Sequence, residues 1–253
     1  MKVRHLQCTT LPVRTAGRVV LLIATLALLA ACATGIRAPG PVQSNVQAAA
    51  PGSEQSHWWF ARFRLARDAD AEVNSYLDGL IADQLLAEVI AQHREQISLW
   101  RFHRRWPRDS TGHQFSFIFY APRTLADVVN GQIERDPLLQ RLRMDGHLVE
   151  FRTHEADPER SADVAATSDL SWPVEIQREW PQFIMGASRM WLGLVHSEAQ
   201  KHAGLDLYER YQAVETGLDA LWFKHGNHAF FHHLSALFGY QPLRVIRRDI
   251  MTF

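Results

Sequence analysis

Two cysteines in 253 residues, Cys8 and Cys32, can build neither a disulfide framework nor a cysteine zinc cage. Net charge is absent too. The 27 Lys and Arg stand against 27 Asp and Glu, without the basic excess of a nucleic-acid-binding domain, so no nucleic-acid partner is expected. The apolar run over 19–31 is 13 residues long and falls short of the roughly 20 needed to span a bilayer. A hydrophobic content of 47% with 21% charged residues belongs to a folded chain and excludes general disorder. The length suits one large domain or two small ones.

What is present is distributed unevenly. Residues 1–18 carry Lys2, Arg4, Arg14 and Arg18 and no acid, and the uncharged apolar run follows directly. A basic region, a short apolar core and small residues together make the pattern of a secretory signal peptide. The core ends in Leu29-Ala30-Ala31-Cys32, which resembles the lipobox of bacterial lipoproteins. That resemblance implies cleavage after Ala31, a diacylglyceryl group on the Cys32 thiol and a further acyl chain, such as palmitate, on the new amino terminus. Position 33 is alanine, not the aspartate that favours inner-membrane retention. The expected location is therefore the outer membrane, on its periplasmic face, with the membrane as partner through the lipid anchor. Two or three acyl chains hold a protein stably where one holds it reversibly. Loss of the four leader bases leaves 23 basic against 27 acidic residues, a mildly acidic mature chain.

Residues 32–56 are rich in Ala, Gly, Pro, Ser and Gln and contain no aromatic residue, so they read as a lipidated tether. At about 5–6 Å × √n the tether reaches roughly 25–30 Å. One α+β domain is expected over 57–253. Trp59, Ala61, Phe63 and Leu65 alternate with Trp58, Phe60, Arg62 and Arg64, the period of a half-buried strand. Asp68 and Asp70 precede a helical pattern that runs from Val73 to Ile90. Further strands are expected over 96–106, 113–121 and 147–152, with a helix over 125–142 broken at Asp136-Pro137. The order βαββαβ is the ferredoxin-like arrangement. A polar loop over 155–171 leads to helices over 179–201, 205–224 and 227–238, and an alternating segment over 243–250 suggests a returning strand.

Four groups of residues are candidates for chemistry. Trp58, Phe60, Arg62 and Arg64 share one strand face, joined on this reading by Trp100, Phe102 and Arg104 from the second strand. Aromatic plates beside guanidinium forks suit a planar anion or a carboxylate-bearing ligand. The alternative is that C-terminal helices cover this face and the arginines pair with acids. His225, His228 and His232, followed by His233, have the 3 and 4 spacing of a helical metal face, which Glu198 and His202 complete only if the helices meet. Packing and surface exposure are the competing account. Gly186-Ala187-Ser188 opens like the G-x-S-x-G nucleophile elbow but ends in Met190 within a helical pattern, so both small residues read as aids to helix packing. Trp106-Pro107, Trp172-Pro173 and Trp180-Pro181 each mark an element boundary.

The element order, closing in Phe230-Phe231-His232-His233-Leu234-Ser235-Ala236-Leu237-Phe238-Gly239, also resembles the C-terminal domain of lantibiotic dehydratases and thiopeptide-type bacteriocin biosynthesis proteins. Their closing helix carries His-Met-x-x-Asn-Arg-Leu-x-Gly. Leu237 and Gly239 match it, while the histidine falls on Phe231 and Asn-Arg on Ser235-Ala236. The resemblance implies fold alone, and no catalytic residue is carried over. No cofactor motif is present. The functional expectation is a lipid-anchored binding or assembly module with an envelope protein partner. An envelope enzyme using the Arg/aromatic face or the histidine cluster is the alternative.

Overall fold

The computed structural model describes residues 54–67, 74–105 and 112–240. The leader, Cys32, nearly all of the tether, Asp68, Asp70, Trp106-Pro107 and the strand expected over 243–250 lie outside the described residues. The protein is a mixed α+β structure on a four-stranded antiparallel sheet. Its strands are β1 (Ser56–Leu65), β2 (Leu99–Arg104), β3 (Gln114–Pro122) and β4 (Leu148–Glu155), in spatial order β2-β3-β1-β4. Strands β1 and β2 flank β3, and β3 and β4 flank β1, so each helical connection spans one intervening strand.

The apolar period of β1 sets the packed face. Trp59, Ala61, Phe63 and Leu65 are buried, and the register aligns Phe63, Ala61 and Trp59 with Phe115, Phe117 and Phe119 of β3. Against them pack α1 (Tyr76–Ile81), a π-helical turn (Ala82–Leu86) and α2 (Ala87–Gln92), which together supply Leu77, Leu80, Ile81, Leu85, Leu86 and Val89. On the same core lie α3 (Arg123–Arg135) and α4 (Pro137–Met144). Asp136 separates those two helices: its carboxylate accepts the Leu138 amide at 2.8 Å, and Pro137 takes the first helical position, where no amide hydrogen is needed.

Two long helices follow, α5 (Val174–Lys201) and α6 (Leu207–Gly226). The latter continues through a π-helical turn (Asn227–His232) into α7 (His233–Leu237), which ends at Gly239 with φ 71°. The boundary expected at Pro173 is present, since α5 begins at the next residue. The one expected at Trp180-Pro181 is not, because Pro181 lies inside α5. Proline at 181 cannot donate to the Gln177 carbonyl four residues earlier. Ser168 Oγ donates to that carbonyl instead, at 2.7 Å, so the orphaned acceptor is satisfied from the preceding loop.

Ser188 fills a comparable role at the sheet edge. Its Oγ accepts the Phe102 amide at 3.1 Å and donates to the Ile184 carbonyl at 2.8 Å, which pins α5 along the exposed edge of β2. Of the two small residues expected to aid packing, Ser188 does so, while Gly186 faces open space. The close helix approach occurs at Gly217 of α6. A Cβ there would come within 2.5 Å of Oε1 and 2.8 Å of Cγ of Glu198, a buried carboxylate held by Lys201 and, at 3.5 Å, by His202.

Candidate functional site

The second parity of β1 forms the other face of the sheet. Phe60, Arg62 and Arg64 line up with Ile118, Ser116 and Gln114 on β3 and with His154, Arg152 and Glu150 on β4. On β2 the same face carries Leu99, Arg101 and His103, opposite Tyr120, Ile118 and Ser116. One end of the face is closed. Trp58, Leu99, Ile118 and Tyr120 are buried beneath the loop after β4, where Trp58 Nε1 donates to the Val164 carbonyl at 3.0 Å and the Tyr120 hydroxyl to the Ala162 carbonyl at 2.7 Å. The rest stays open as a groove of about 410 Å³ lined by Arg62, Arg64, Gln114, Glu150, Arg152, Thr153 and His154.

Stacking and charge organise this groove. The Phe60 ring stacks on His154 at 4.9 Å with 13° between planes, and the Arg62 guanidinium lies over the same phenyl ring at 4.8 Å. Glu150 is held between Arg64 at 3.3 Å and Arg152 at 2.5 Å. Arg62 and Arg101 have no carboxylate within ion-pair distance among the described residues. The guanidinium of Arg101 donates to the Thr167 carbonyl at 3.2 Å, and its buried Nε has no partner. Desolvation, with the Arg105 charge added, lowers the Arg62 pKa, and desolvation alone brings Arg101 down to about 10. His103 is pushed down to about 4 by desolvation and by Arg101, Arg105 and Arg62. His154 is lowered by desolvation and Arg62. A cluster whose members disfavour one another's charge is stabilised by any anion that enters it.

The predicted site residues divide accordingly. Arg62 and Arg64 meet in the groove, and the half-buried Phe60 lies at its closed end, packed against the covered cluster and beneath Arg62. Trp58 shares their parity but is covered, and so offers no plate to a ligand. Trp100, Phe102 and Arg104 belong to the opposite face: Phe102 pairs with Phe117 and Arg104 with Phe115, which turns all three toward the packed core. The expectation that they join the open face is therefore corrected. Both parities of β2 carry apolar residues, Leu99 on one and Trp100 and Phe102 on the other, and only the register against β3 assigns them. Of the competing account, α5 reaches only the closed end of this face, through Met185, the loop over 156–168 covers more of it, and Arg64 and Arg104 pair with Glu150 and Asp78.

Arg104 has a structural task. Its Nε lies 2.9 Å from the buried Asp78, which also pairs with Nε2 of the buried His113 at 2.9 Å, and its guanidinium packs over Trp191 at 4.7 Å. Asp83, in the π-helical turn, holds His196 Nδ1 at 2.8 Å and accepts from the Tyr211 hydroxyl. These two aspartates tie α1 and the π-helical turn to the sheet edge and to α5 and α6.

The histidines proposed as a metal face, His225, His228 and His232, are divided in the structure. His228 stacks on His232 at 5.0 Å and His233 stands edge-on to both at 5.1–5.2 Å, while His225 lines a separate cleft. The π-helical turn over Asn227–His232 breaks the phase that a regular helix would have kept through residue 225. Glu198 and His202 pair with each other, not with this cluster. Among the described residues no three His, Cys, Asp or Glu side chains are placed to hold a metal ion.

Arg101, His103, Glu150, Arg152 and His154 belong to the candidate site and were not read from the sequence as part of it. The alternation Glu150-Arg152-His154 in β4 was the available signal for three of them. Among the described residues no helix is long and apolar enough to cross a membrane. The chain matches no family model, no curated protein and no solved structure.

Proposed function

We propose that this chain is a lipoprotein of the bacterial envelope, anchored through Cys32, whose domain is a binding module for a carboxylate-bearing anion on its open sheet face. The anchor rests on the leader and the Leu29-Ala30-Ala31-Cys32 sequence. The binding role rests on one observation above all. Arg62 has no acidic partner among the described residues, lies over Phe60 at 4.8 Å, and lines the open groove together with Arg64, Arg152 and His154. An aromatic ring with a guanidinium above it offers a flat, charged surface to a planar carboxylate. The ferredoxin-like arrangement is part of the same proposal. Read from the β4 edge, the strands run 4-1-3-2 with antiparallel neighbours, as two interleaved split β-α-β units require.

Citrate is a suitable probe. At a hundredfold excess over its dissociation constant, saturable binding raises the melting temperature by on the order of 5–10 °C for a domain of this size. The same concentration of citrate should leave Arg62→Gln unmoved. A shift of equal size in both proteins, or one reproduced by sodium chloride at matched ionic strength, would remove the site. Palmitate-analogue labelling of cells tests the anchor: the wild type should be marked and Cys32→Ser should not.

A further inference from the structure

The apolar surface of the molecule is concentrated at the far end of α6 and beyond. Phe223 is 93% exposed, Leu237 84% and Phe238 71%, and Trp222, Phe231 and Tyr240 are also exposed. The rings there sort into two sets. Trp222 contacts Phe230 at 5.4 Å and Phe231 at 6.0 Å, while His228, His232 and His233 gather separately, 5.0–5.2 Å apart. The two sets share one helical arm and meet at its end, where His232 lies 5.5 Å from Tyr240. Between this arm, α5 and α1 the apolar surface continues inward as a cleft of about 650 Å³. Monomeric proteins rarely leave so much aromatic and aliphatic surface to water without a partner for it.

Charge identifies the partner. Residues 220–240 contain no acid, and from 220 to the last residue given the sequence carries Lys224, Arg244, Arg247 and Arg248 against the single Asp249. A protein partner is not singled out by a surface of this kind, but an anionic bilayer is. Exposed Trp, Phe and Tyr suit the interfacial layer, and lysine and arginine in the same stretch of sequence are drawn to acidic headgroups, while Glu215 and Asp219 lie inward, lining the cleft. Twofold association of the arm would bring like charges together.

We infer that the arm over 222–240 docks on an anionic lipid surface, lying in the interface without crossing it. The inference rests in part on the lipid-anchored reading, because the acyl chains at Cys32 bring a bilayer within reach. The arm would then give the tethered domain a second point of attachment and a defined side facing the membrane.

The test uses the protein purified from bacterial membranes, with Cys8→Ser and Phe231→Cys, carrying an environment-sensitive dye at 231. It is reconstituted into vesicles of phosphatidylethanolamine and phosphatidylglycerol or of phosphatidylcholine alone, each doped with brominated lipid. Quenching at 231 should exceed that of a dye at the exposed Glu159 several-fold, and only in the anionic vesicles. Phe223→Glu with Leu237→Glu should bring it down to the Glu159 level. Both positions are strongly exposed, so an unchanged melting temperature shows the fold intact. Quenching at 231 no greater than at 159 in the anionic vesicles overturns the inference. So does a blue shift that appears without lipid and grows with protein concentration, which assigns the surface to a second copy of the chain. Flotation of Cys32→Ser beside the wild type on the phosphatidylcholine vesicles, which the arm is not expected to bind, scores the anchor separately: if both float equally or neither floats the anchor fails, while the dye at 231 in the anionic vesicles still reports on the arm.

Discussion

The two faces of the sheet are made by the same strands and meet different fates. On one, Trp59, Ala61 and Phe63 stack against Phe115, Phe117 and Phe119 under α1 to α3, and burial is complete. On the other, Trp58 and Tyr120 are covered by a loop with the half-buried Phe60 packed against them, and beyond them Arg62, Arg64, Arg152 and His154 stay open. The packed face is held by apolar burial and tolerates no loss of volume. The open face holds Arg62, Arg101 and His103 close together at some cost in self-repulsion, while Glu150 offsets Arg64 and Arg152.

The contrast can be tested by substitution. Phe117 is fully buried between Ala61 and Phe102, so Phe117→Ala should cost about 3–5 kcal/mol, read as a lowered midpoint in urea. A loss under about 1 kcal/mol would show that this face is less tightly packed than its burial implies. Ser168→Ala should cost about 1–3 kcal/mol by leaving the Gln177 carbonyl beside Pro181 without a donor. The double variant Ser168→Ala with Pro181→Ala should recover most of that loss, because an alanine amide restores the helical bond.

The remaining test belongs to the open face and depends on pH. With His103 near 4 in the folded protein and 6.5 as its ordinary value, the unfolded chain takes up that proton more readily. Its contribution to stability is therefore present above pH 6.5 and is lost as the pH falls from 6.5 toward 4. Removing one neighbouring guanidinium by Arg62→Gln should move the His103 titration upward, measured from its ring resonances by NMR. An unmoved titration would show that the arginine charge is not felt there.

Much of the fold was legible in the sequence because particular residues carry a local cause. The parity of β1 shows in its alternation, Asp136-Pro137 marks a helix start, and the three phenylalanines of β3 share a face by simple period. Pro181 misled because its boundary signal is local, while the hydroxyl that makes it harmless comes from Ser168 on another segment. The histidine spacing misled because a π-helical turn alters the phase that spacing assumes. The candidate site was half legible: Phe60, Arg62 and Arg64 follow from the period of one strand, whereas Arg101, His103, Arg152 and His154 reach them only across hydrogen-bonded neighbours.

The sequence by itself determined the alternating faces of β1, the helix start after Asp136 and the acid-free run over 220–240, since each depends on neighbours along the chain. Tertiary structure alone decided which parity of β2 faces the core. It also decided that Trp58 is covered while Phe60 is not, and that His225 stands apart from His228. A strand with apolar residues on both sides has no face of its own; it acquires one from the register with β3, where Phe102 meets Phe117.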